Sequence, residues 1–168
     1  YKMMDQAEIQ QNLRMAMRGF ASAVSIISAT DENGVRYAMP ATSVTSLSFD
    51  PPSMLVCINR TASFYPPVEA GRDFCINIPH LSQIELANNC WAKPQGEGRF
   101  EGAEWEDQPG QPPILKGAQA AIVCKQAQRL AYGTHDVVIG DVMAVYVSGK
   151  IDPILFLDGK YLPITTPA

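Results

Sequence analysis

The stretch YAMPATSVTSLSFDPP, residues 37–52, combines the residue types of a β-strand with an unusual density of hydroxyl groups. The hydroxyl side chains are Tyr37, Thr42, Ser43, Thr45, Ser46 and Ser48. Strict alternation places Val44, Ser46 and Ser48 on one face and Thr45, Leu47 and Phe49 on the other, so neither face is a regular core face. Hydroxyls and backbone N–H groups donate hydrogen bonds to carbonyls, ring nitrogens or a phosphate. The segment therefore indicates either a strand that binds a heteroaromatic cofactor or an edge strand with a solvated face.

The chain on both sides of this stretch predicts mostly short strands. Runs of β-branched and apolar residues, bounded by turn-forming residues, mark each of them. The predicted strands cover residues 24–30, 35–39, 54–58, 74–78, 118–128, 136–147 and 154–157. An Asn33-Gly34 turn joins the first two strands as a hairpin. This order predicts a mainly β fold, a closed or nearly closed antiparallel barrel with a few flanking helices, as a single domain over residues 1–168.

Three helices are predicted beside the strands. The signals that bound them are Gly19 at the end of the first, Ser63 and Gly71 around the second, and a capping box of Ser82 and Glu85 at the start of the third. We expect Ile84, Ala87 and Trp91 to form the apolar stripe of the third helix. Residues 92–113 are rich in glycine, proline and glutamate, a composition too polar for a core and typical of a long loop that acts as a lid or a subunit contact.

Composition narrows the class of protein. The 168 residues are 46% apolar and 18% charged, which excludes a disordered chain. A formal net charge of −4 and a pI near 5.1, without a basic run, argue against a nucleic-acid partner. No stretch approaches the ~20 apolar residues of a membrane span. We therefore expect a protein without a nucleic-acid or membrane partner.

The cysteines predict the redox compartment. Cys57, Cys75, Cys90 and Cys124 are widely spaced, and three of them lie inside apolar segments. This pattern is typical of buried free thiols in a reducing cytoplasm. Only two histidines are present, and no C-x-x-C pair accompanies them, so we expect no metal site.

Two further blocks of sequence support a resemblance. No Gly-x-Gly-x-x-Gly segment follows a strand, so barrel strands and loops must hold any nucleotide cofactor. MPATSVTSLSFDPP, residues 39–52, resembles the GMTASSFTSVSxxPP segment of the short-chain flavin reductase family, the FMN-binding split-barrel reductases of two-component monooxygenases. YGTHDVVIGDV, residues 132–142, is similar to the family's GDHxxxxGEV motif, with Gly133, His135, Gly140 and Val142 in register.

The resemblance covers nearly the whole chain in order. The other similar segments are residues 16–24, 74–81, Phe100, 113–115 and 159–161. The chain departs from the family pattern at three positions: Pro40 replaces a threonine, Thr134 replaces an acid, and Phe64 stands where a hydroxyl often follows the loop serine. Because proline has neither a hydroxyl nor a backbone donor, Pro40 removes one contact to the flavin that the family would otherwise lead us to expect.

The resemblance implies a site built from three groups of residues. Ala41, Thr42 and Ser43, with Met39 and Pro40 beside them, lie along the isoalloxazine edge; Ser46, Leu47 and Ser48 face the ribityl chain; Arg60, Thr61 and Ser63 approach the phosphate. His135 lines the nicotinamide side, where it orients the substrate rather than acting as an acid. Without the resemblance, Arg60 is equally well interpreted as a solvated loop arginine and His135 as a structural residue at a strand end.

The implied function is NAD(P)H-dependent reduction of FMN or FAD. By resemblance, the protein transfers a hydride from NADH or NADPH to the flavin, supplies the reduced flavin to a partner oxygenase and forms a homodimer. Two other classes stay open: a non-catalytic flavin binder or electron carrier of the same fold, and a cysteine-dependent hydrolase. The sequence separates neither FMN from FAD nor NADH from NADPH.

Overall fold

The structure, a computed structural model, describes residues 2–164. Its helices are α1 (Gln6–Arg18), α2 (Tyr65–Glu69) and α3 (Ile84–Ala92), with 3-10 turns at Leu81–Gln83 and Glu97–Phe100. Its strands are β1 (Ser22–Ala23), β2 (Ser25–Thr30), β3 (Arg36–Ala41), β4 (Val44–Phe49), β5 (Pro52–Asn59), β6 (Phe74–Ile78), β7 (Trp105–Glu106), β8 (Ile114–Leu115), β9 (Ala120–Tyr132), β10 (His135–Val147), β11 (Ile154–Leu157) and β12 (Lys160–Pro163). The fold is mainly β, as predicted.

Seven strands form one antiparallel sheet in the order β3-β2-β6-β9-β10-β5-β4. The two edge strands, β3 and β4, are consecutive in the chain and are joined only by Thr42 and Ser43. Seven flat strands would be about 30 Å wide at a spacing of ~4.8 Å, a distance that two residues cannot cover. The sheet therefore curls enough to bring the end of β3 and the start of β4 together, as a nearly closed antiparallel barrel requires. We name residues 40–43 the β3–β4 corner.

Two apolar clusters fill the molecule. The first lies inside the barrel and includes Ile27, Val56, Phe64, Ile76 and Val138. The second lies between the barrel and α3 and includes Ile26, Leu86, Cys90, Phe100 and Ile154. The strands that separate the two clusters therefore bury both of their faces.

Helix α1 stands apart from both cores. The Glu8 N–H donates to Asp5 Oδ1 at 2.8 Å at its start, and Gly19 ends it as predicted. No residue of α1 is buried, so its apolar stripe is exposed to solvent. Within residues 2–164, no helix combines the length and apolar character needed to cross a bilayer.

The hydroxyl-rich strand is less regular than its sequence pattern predicts. Ser46 pairs with Met54 and Ser48 pairs with Ser53, so Leu47 is the extra residue of a β-bulge. Paired residues share a face, and consecutive residues of β5 point to opposite faces. Ser46 and Ser48 therefore lie on opposite faces of β4, and the prediction that they share one was wrong.

Two predicted helix starts were also wrong. The residue that caps α2 is Phe64, which is fully buried and makes no side-chain cap, so Ser63 does not cap this helix. Ahead of α3, the His80 N–H donates to Gln83 Oε1 at 3.0 Å within a 3-10 turn. That contact takes the place of the predicted Ser82 and Glu85 box.

Residues 92–113 are held to the barrel more firmly than a polar loop would be. Phe100 is 4% exposed, and its ring centroid lies 4.9 Å from that of Trp105. The Arg36 guanidinium covers Phe100 at 4.2 Å and forms ion pairs with Glu97 and Asp107. This segment is therefore part of the second core, and the expectation that it is too polar to enter a core was wrong.

Candidate functional site

A groove of about 630 Å³ opens beside the β3–β4 corner. Pro40, Ala41 and Thr42 line it on one side, and the helix α3 and the β11–β12 hairpin line it on the other. Its size lies within the ~300–1,000 Å³ of small-molecule sites in proteins. We name this cavity the corner groove.

Aromatic side chains form much of the opposite wall of the corner groove. Trp91 on α3 and Phe156 and Tyr161 on the hairpin line it, together with the polar groups of Asn88 and Lys160. Trp91 is 78% exposed, which is unusual for a residue with so large an apolar side chain. The wall thus offers flat apolar faces with an amide and a cation among them.

The outer face of β5 and β10 continues from the corner. Ser43 Oγ donates to the carbonyl of Cys57 at 2.8 Å, and the Cys57 N–H donates to the Ser43 carbonyl at 3.1 Å. Asn59, two residues further along β5, pairs with His135 at the start of β10. Strand spacing and rise place the backbones of Ser43 and His135 about 12 Å apart. His135 is exposed, and its Nδ1 lies 2.8 Å from Thr134 Oγ1.

The hydroxyls of the site differ in whether the protein already uses them. Ser43, Thr45 and Ser48 each make a hydrogen bond to the backbone. Within residues 2–164, no hydrogen bond engages the hydroxyls of Thr42 or Ser46. These two hydroxyls are therefore available to a ligand without breaking a protein contact.

Arg60 is partly exposed, yet its guanidinium is held by the protein. Its Nη1 donates to the carbonyl of His135 at 3.1 Å and pairs with Asp136 Oδ1 at 3.2 Å, and its Nη2 donates to the carbonyl of Gly133. The Arg60 backbone N–H donates to the carbonyl of Thr134 at 3.1 Å. Arg60 thus holds the turn between β9 and β10 from the side.

Asp136 is the buried centre of this network and is only 2% exposed. The Tyr65 hydroxyl donates to Asp136 Oδ2 at 2.7 Å, and Arg129 Nε lies 3.3 Å from the same oxygen. The pKa of Asp136 is lowered, first by the Tyr65 hydrogen bond and then by the two arginines. The carboxylate is therefore ionised throughout the neutral range, with both of its oxygens paired.

The structure separates the predicted site residues into groups. Pro40, Ala41 and Thr42 line the corner groove, and Ser43 begins the outer face that leads to His135. Ser46, Leu47 and Ser48 lie farther along β4, around its bulge. The side chain of Met39 packs against the core inside the barrel, so the structure does not bring it into the groove.

Thr61 and Ser63 lie on the loop between β5 and α2, beside Arg60 and the β9–β10 turn. The Thr61 backbone N–H and hydroxyl both donate to Asn59 Oδ1 at 2.9 Å. Ser63 Oγ accepts a hydrogen bond from Gln95 Nε2 at 3.5 Å. Both side chains are exposed.

Sequence reasoning missed several residues of this site. Trp91 was assigned to a core stripe, yet the buried positions of α3 are Leu86, Ala87 and Cys90. The spacing of Ile84, Asn88 and Trp91 is also helical, and the polar Asn88 within that stripe was a signal that it faces a site. For Asp136 no local signal existed, because its partners come from distant parts of the chain.

The cysteines give no support to a hydrolase. All four are free thiols; Cys75, Cys90 and Cys124 are buried, and Cys57 is half-buried. Burial raises the pKa of each of the three buried thiols to about 12. A thiol with so high a pKa contains little of the reactive thiolate at neutral pH. No cluster of His, Cys, Asp or Glu able to hold a metal ion occurs within the described part of the chain.

The mainly β fold thus presents a groove with aromatic walls and a few polar groups beside the outer face of the barrel. The chain belongs to the flavin reductase like domain family, whose sequence model matches residues 17–165. The family thus spans the barrel, the corner and the β9–β10 turn.

Named relatives are similar over most of their length. An NADH-dependent FMN reductase, RutF, of Pseudomonas syringae is 36% identical over 161 residues, 95% of this chain and 90% of the relative. The reductase component of an FADH(2)-dependent resorcinol hydroxylase from Rhizobium sp. is 35% identical over 154 residues, 91% and 86% of the two chains. Among solved structures, nitrilotriacetate monooxygenase component B from Mycobacterium thermoresistibile superposes with a TM-score of 0.84 at 29% identity, covering 98% and 93% of the two chains.

The corner groove fits a flavin. An isoalloxazine is a flat ring system with one polar edge, so it needs apolar walls and a few donors on one side. Trp91, Phe156 and Tyr161 supply the walls, and the uncommitted hydroxyl of Thr42 supplies a donor at the corner. Lys160 adds a cation at the same cavity.

Proposed function

We propose that this protein is an NAD(P)H-dependent flavin reductase that transfers a hydride from the nicotinamide to FMN or FAD and supplies the reduced flavin to a partner monooxygenase. The observation that carries this proposal is the corner groove, which is lined by Thr42 with its uncommitted hydroxyl and lies beside the outer face that leads to His135. The similar FMN reductase and the similar hydroxylase reductase component support the donor and the recipient, respectively.

The corner residues hold the flavin ring in this proposal. Thr42 donates to its polar edge. Ala41 and Pro40 contact the face of the ring, and Pro40 cannot donate a hydrogen bond to it because proline has no backbone N–H. Ser46, Leu47 and Ser48 face the ribityl chain. Thr61 and Ser63, on an exposed loop beside the β9–β10 turn, approach the phosphate.

His135 lies on the side from which the nicotinamide approaches. When bound, the flavin supplies the redox chemistry by accepting the hydride of the nicotinamide. Because this transfer needs no protein acid or base, the work of the chain is to hold both rings at the correct separation. The exposed imidazole of His135, held by Thr134 Oγ1, orients the nicotinamide.

An assay of whether the protein accelerates the oxidation of NADH or NADPH by added flavin tests the proposal directly. The purified protein is expected to oxidise the nicotinamide in the presence of FMN or FAD far faster than the protein-free mixture, with a turnover of about 1–1,000 per second. The decrease of nicotinamide absorbance measures it, with heat-denatured protein as the control. Flavin binding without acceleration, for all four pairs of substrates, would instead identify an electron carrier.

Removal of the uncommitted hydroxyls tests where the flavin lies. Thr42→Val and Ser46→Ala are each expected to weaken flavin binding by about 0.5–1.5 kcal/mol, the usual value of one hydrogen bond. Fluorescence titration of the flavin measures the affinity. Thr45→Val is the matched control, because the Thr45 hydroxyl already donates to the carbonyl of Ser46 at 3.2 Å. If all three variants bound flavin as tightly as the parent protein, the flavin would not contact Thr42 or Ser46.

We also propose that the protein is a homodimer. The apolar stripe of α1 includes Ile9, Leu13 and Met17, which are 46%, 59% and 53% exposed. Further exposed apolar side chains lie on β9 and β10: Leu130, Tyr132, Met143, Val145, Tyr146 and Val147. Monomeric proteins rarely leave contiguous apolar patches of this kind in water, and a second copy of the chain is the partner that the family resemblance implies.

Molar mass in solution tests the dimer. Light scattering is expected to give about twice the 18.3 kDa of one chain. Replacing Leu13 and Met17 by glutamate is expected to shift the mass toward that of one chain, because charges on the stripe resist burial. A single-chain mass for the parent protein would rule the dimer out.

The recipient and the cellular location complete the proposal. A flavin-dependent oxygenase consumes the reduced flavin; the name of the similar reductase component of an FADH(2)-dependent hydroxylase supports this recipient. Four free thiols support a location in the reducing cytoplasm.

A further inference from the structure

The β9–β10 turn is held by more polar contacts than a hairpin needs. The two strands are already paired up to Tyr132 and His135, and the connection between them is only Gly133 and Thr134. The tip of a hairpin is ordinarily its most mobile part. Here the guanidinium and the backbone of Arg60 together contact the carbonyls of all three residues 133–135.

The anchor of this arrangement lies beneath the turn. Asp136 points into the barrel. There it pairs with Arg60 of the β5–α2 loop, Tyr65 of α2 and Arg129 of β9. Removing such a carboxylate from water is costly unless every oxygen is paired. The pairing fixes the direction of the Arg60 guanidinium and so ties the turn to three other parts of the chain.

We infer that Arg60 and Asp136 are positioning residues that fix the β9–β10 turn and thereby set His135 in place for the nicotinamide. This inference rests on the proposed function, because it assigns the turn to the second substrate. Neither residue needs to touch the flavin or the nicotinamide. Each acts through the backbone of His135, whose carbonyl accepts from Arg60 at 3.1 Å.

The contacts of Arg60 favour this role over binding of the flavin phosphate. Both terminal nitrogens of Arg60 already donate to the turn or pair with Asp136. These contacts use three of the five N–H groups of the guanidinium and fix its direction, so a phosphate could engage both terminal nitrogens fully only by breaking contacts to the turn. The two roles also differ in what they require: a phosphate accepts a point charge such as lysine, whereas two carbonyls and a carboxylate require the fork of an arginine.

The decisive experiment compares Arg60→Met, His135→Ala and the double variant, with Arg60→Lys as a second variant in case Arg60→Met does not fold. Arg72→Met is the matched control, because Arg72 also donates to a carbonyl, that of Thr30 at 3.0 Å, far from the turn. Three readouts are made: flavin affinity by fluorescence titration, the rate of flavin reduction against NADH concentration by stopped flow, and amide hydrogen exchange of residues 133–136 in the flavin-free protein.

Arg60→Met is expected to leave flavin affinity unchanged and to accelerate amide exchange at residues 133–136. It is also expected to lower the second-order rate constant of flavin reduction by about 10- to 100-fold, because small displacements of positioning groups have effects of this size. Arg60→Lys is expected to behave like Arg60→Met. The double variant is expected to be no more than about twofold slower than His135→Ala, since both changes disturb the same step.

Two results would overturn the inference. One is weaker flavin binding in Arg60→Met, restored by Arg60→Lys, with normal exchange at the turn; this result assigns Arg60 to the phosphate. The other is slower flavin reduction in Arg60→Met together with a parent-like rate in His135→Ala, because the turn would then influence the reaction without His135. In both cases the parent protein still reduces flavin, so the proposed function stands; a parent that reduces no flavin rejects the proposed function itself.

Discussion

Replacing Phe64 by alanine is expected to lower the free energy of unfolding by about 3–5 kcal/mol, the usual cost of removing a buried phenyl ring. Phe64 is completely buried within the barrel core, and its ring meets Tyr37 edge-on at a centroid distance of 6.5 Å. The alanine variant leaves a cavity that the surrounding strands cannot close, since their hydrogen bonds fix their spacing. Denaturant unfolding of both proteins measures the difference.

Phe64→Leu is the matched control, because it keeps most of the volume and is expected to cost less than about 1.5 kcal/mol. The same reasoning applies to a hydroxyl residue at this position. A serine at position 64 would leave the same cavity and bury a hydroxyl as well. A stable Phe64→Ala protein would mean that the loop from Arg60 to Ser63 is not packed on the core.

Replacing Gly140 by alanine is expected to cost about 1–3 kcal/mol or more, because the added methyl group has no room. A Cβ on Gly140 would lie 2.7 Å from the Cβ of Cys124 and 2.7 Å from the Phe74 ring. Both neighbours are buried, and Cys124 lies on the strand that pairs with β10. The strands would have to separate, which the melting temperature reports as a clear decrease.

Gly19→Ala is the control for this change. Its added Cβ would meet only the carbonyl of Ala16 at 3.6 Å, which is an ordinary contact. A melting temperature close to that of the parent is expected for it. If Gly140→Ala were equally harmless, the close approach of β6, β9 and β10 would not persist in solution. Gly140 therefore matches the family motif for reasons of packing, whereas His135 in the same motif is proposed to serve the substrate.

The strands could be predicted because their signals are local. β-Branched runs between turn residues placed β2, β3, β5, β6 and β10 close to their observed limits. The bulge at Leu47 could not be predicted, because the residue pattern of β4 alone does not show which residue is the extra one. The bulge is visible only in the pairing of β4 with β5. A single sequence reports the period of a strand and not its register.

The site was predictable where the family motifs cover it and not where it depends on tertiary contacts. Thr42 and His135 were proposed from the resemblance; Thr42 lines the corner groove, and His135 pairs with Asn59 at the start of β10. Asp136 follows His135 directly, yet its burial depends on Tyr65 and on Arg60 and Arg129, which lie in other elements. Likewise, the exposure of Trp91 depends on which of two helical stripes packs against β3.

The link of Thr42 and Ser43 between the two edges of the sheet restricts how this scaffold can change in length. An insertion there would let the edge strands separate, and a deletion would pull β4 out of register with β5, so the corner tolerates substitution but not a change in residue number. Length variation is tolerable instead at exposed turns outside the barrel, such as residues 108–110 and the turn of the β11–β12 hairpin at residues 158–159. We therefore expect that grafting longer or shorter segments there is the practical route to altering substrate preference while the barrel stays intact.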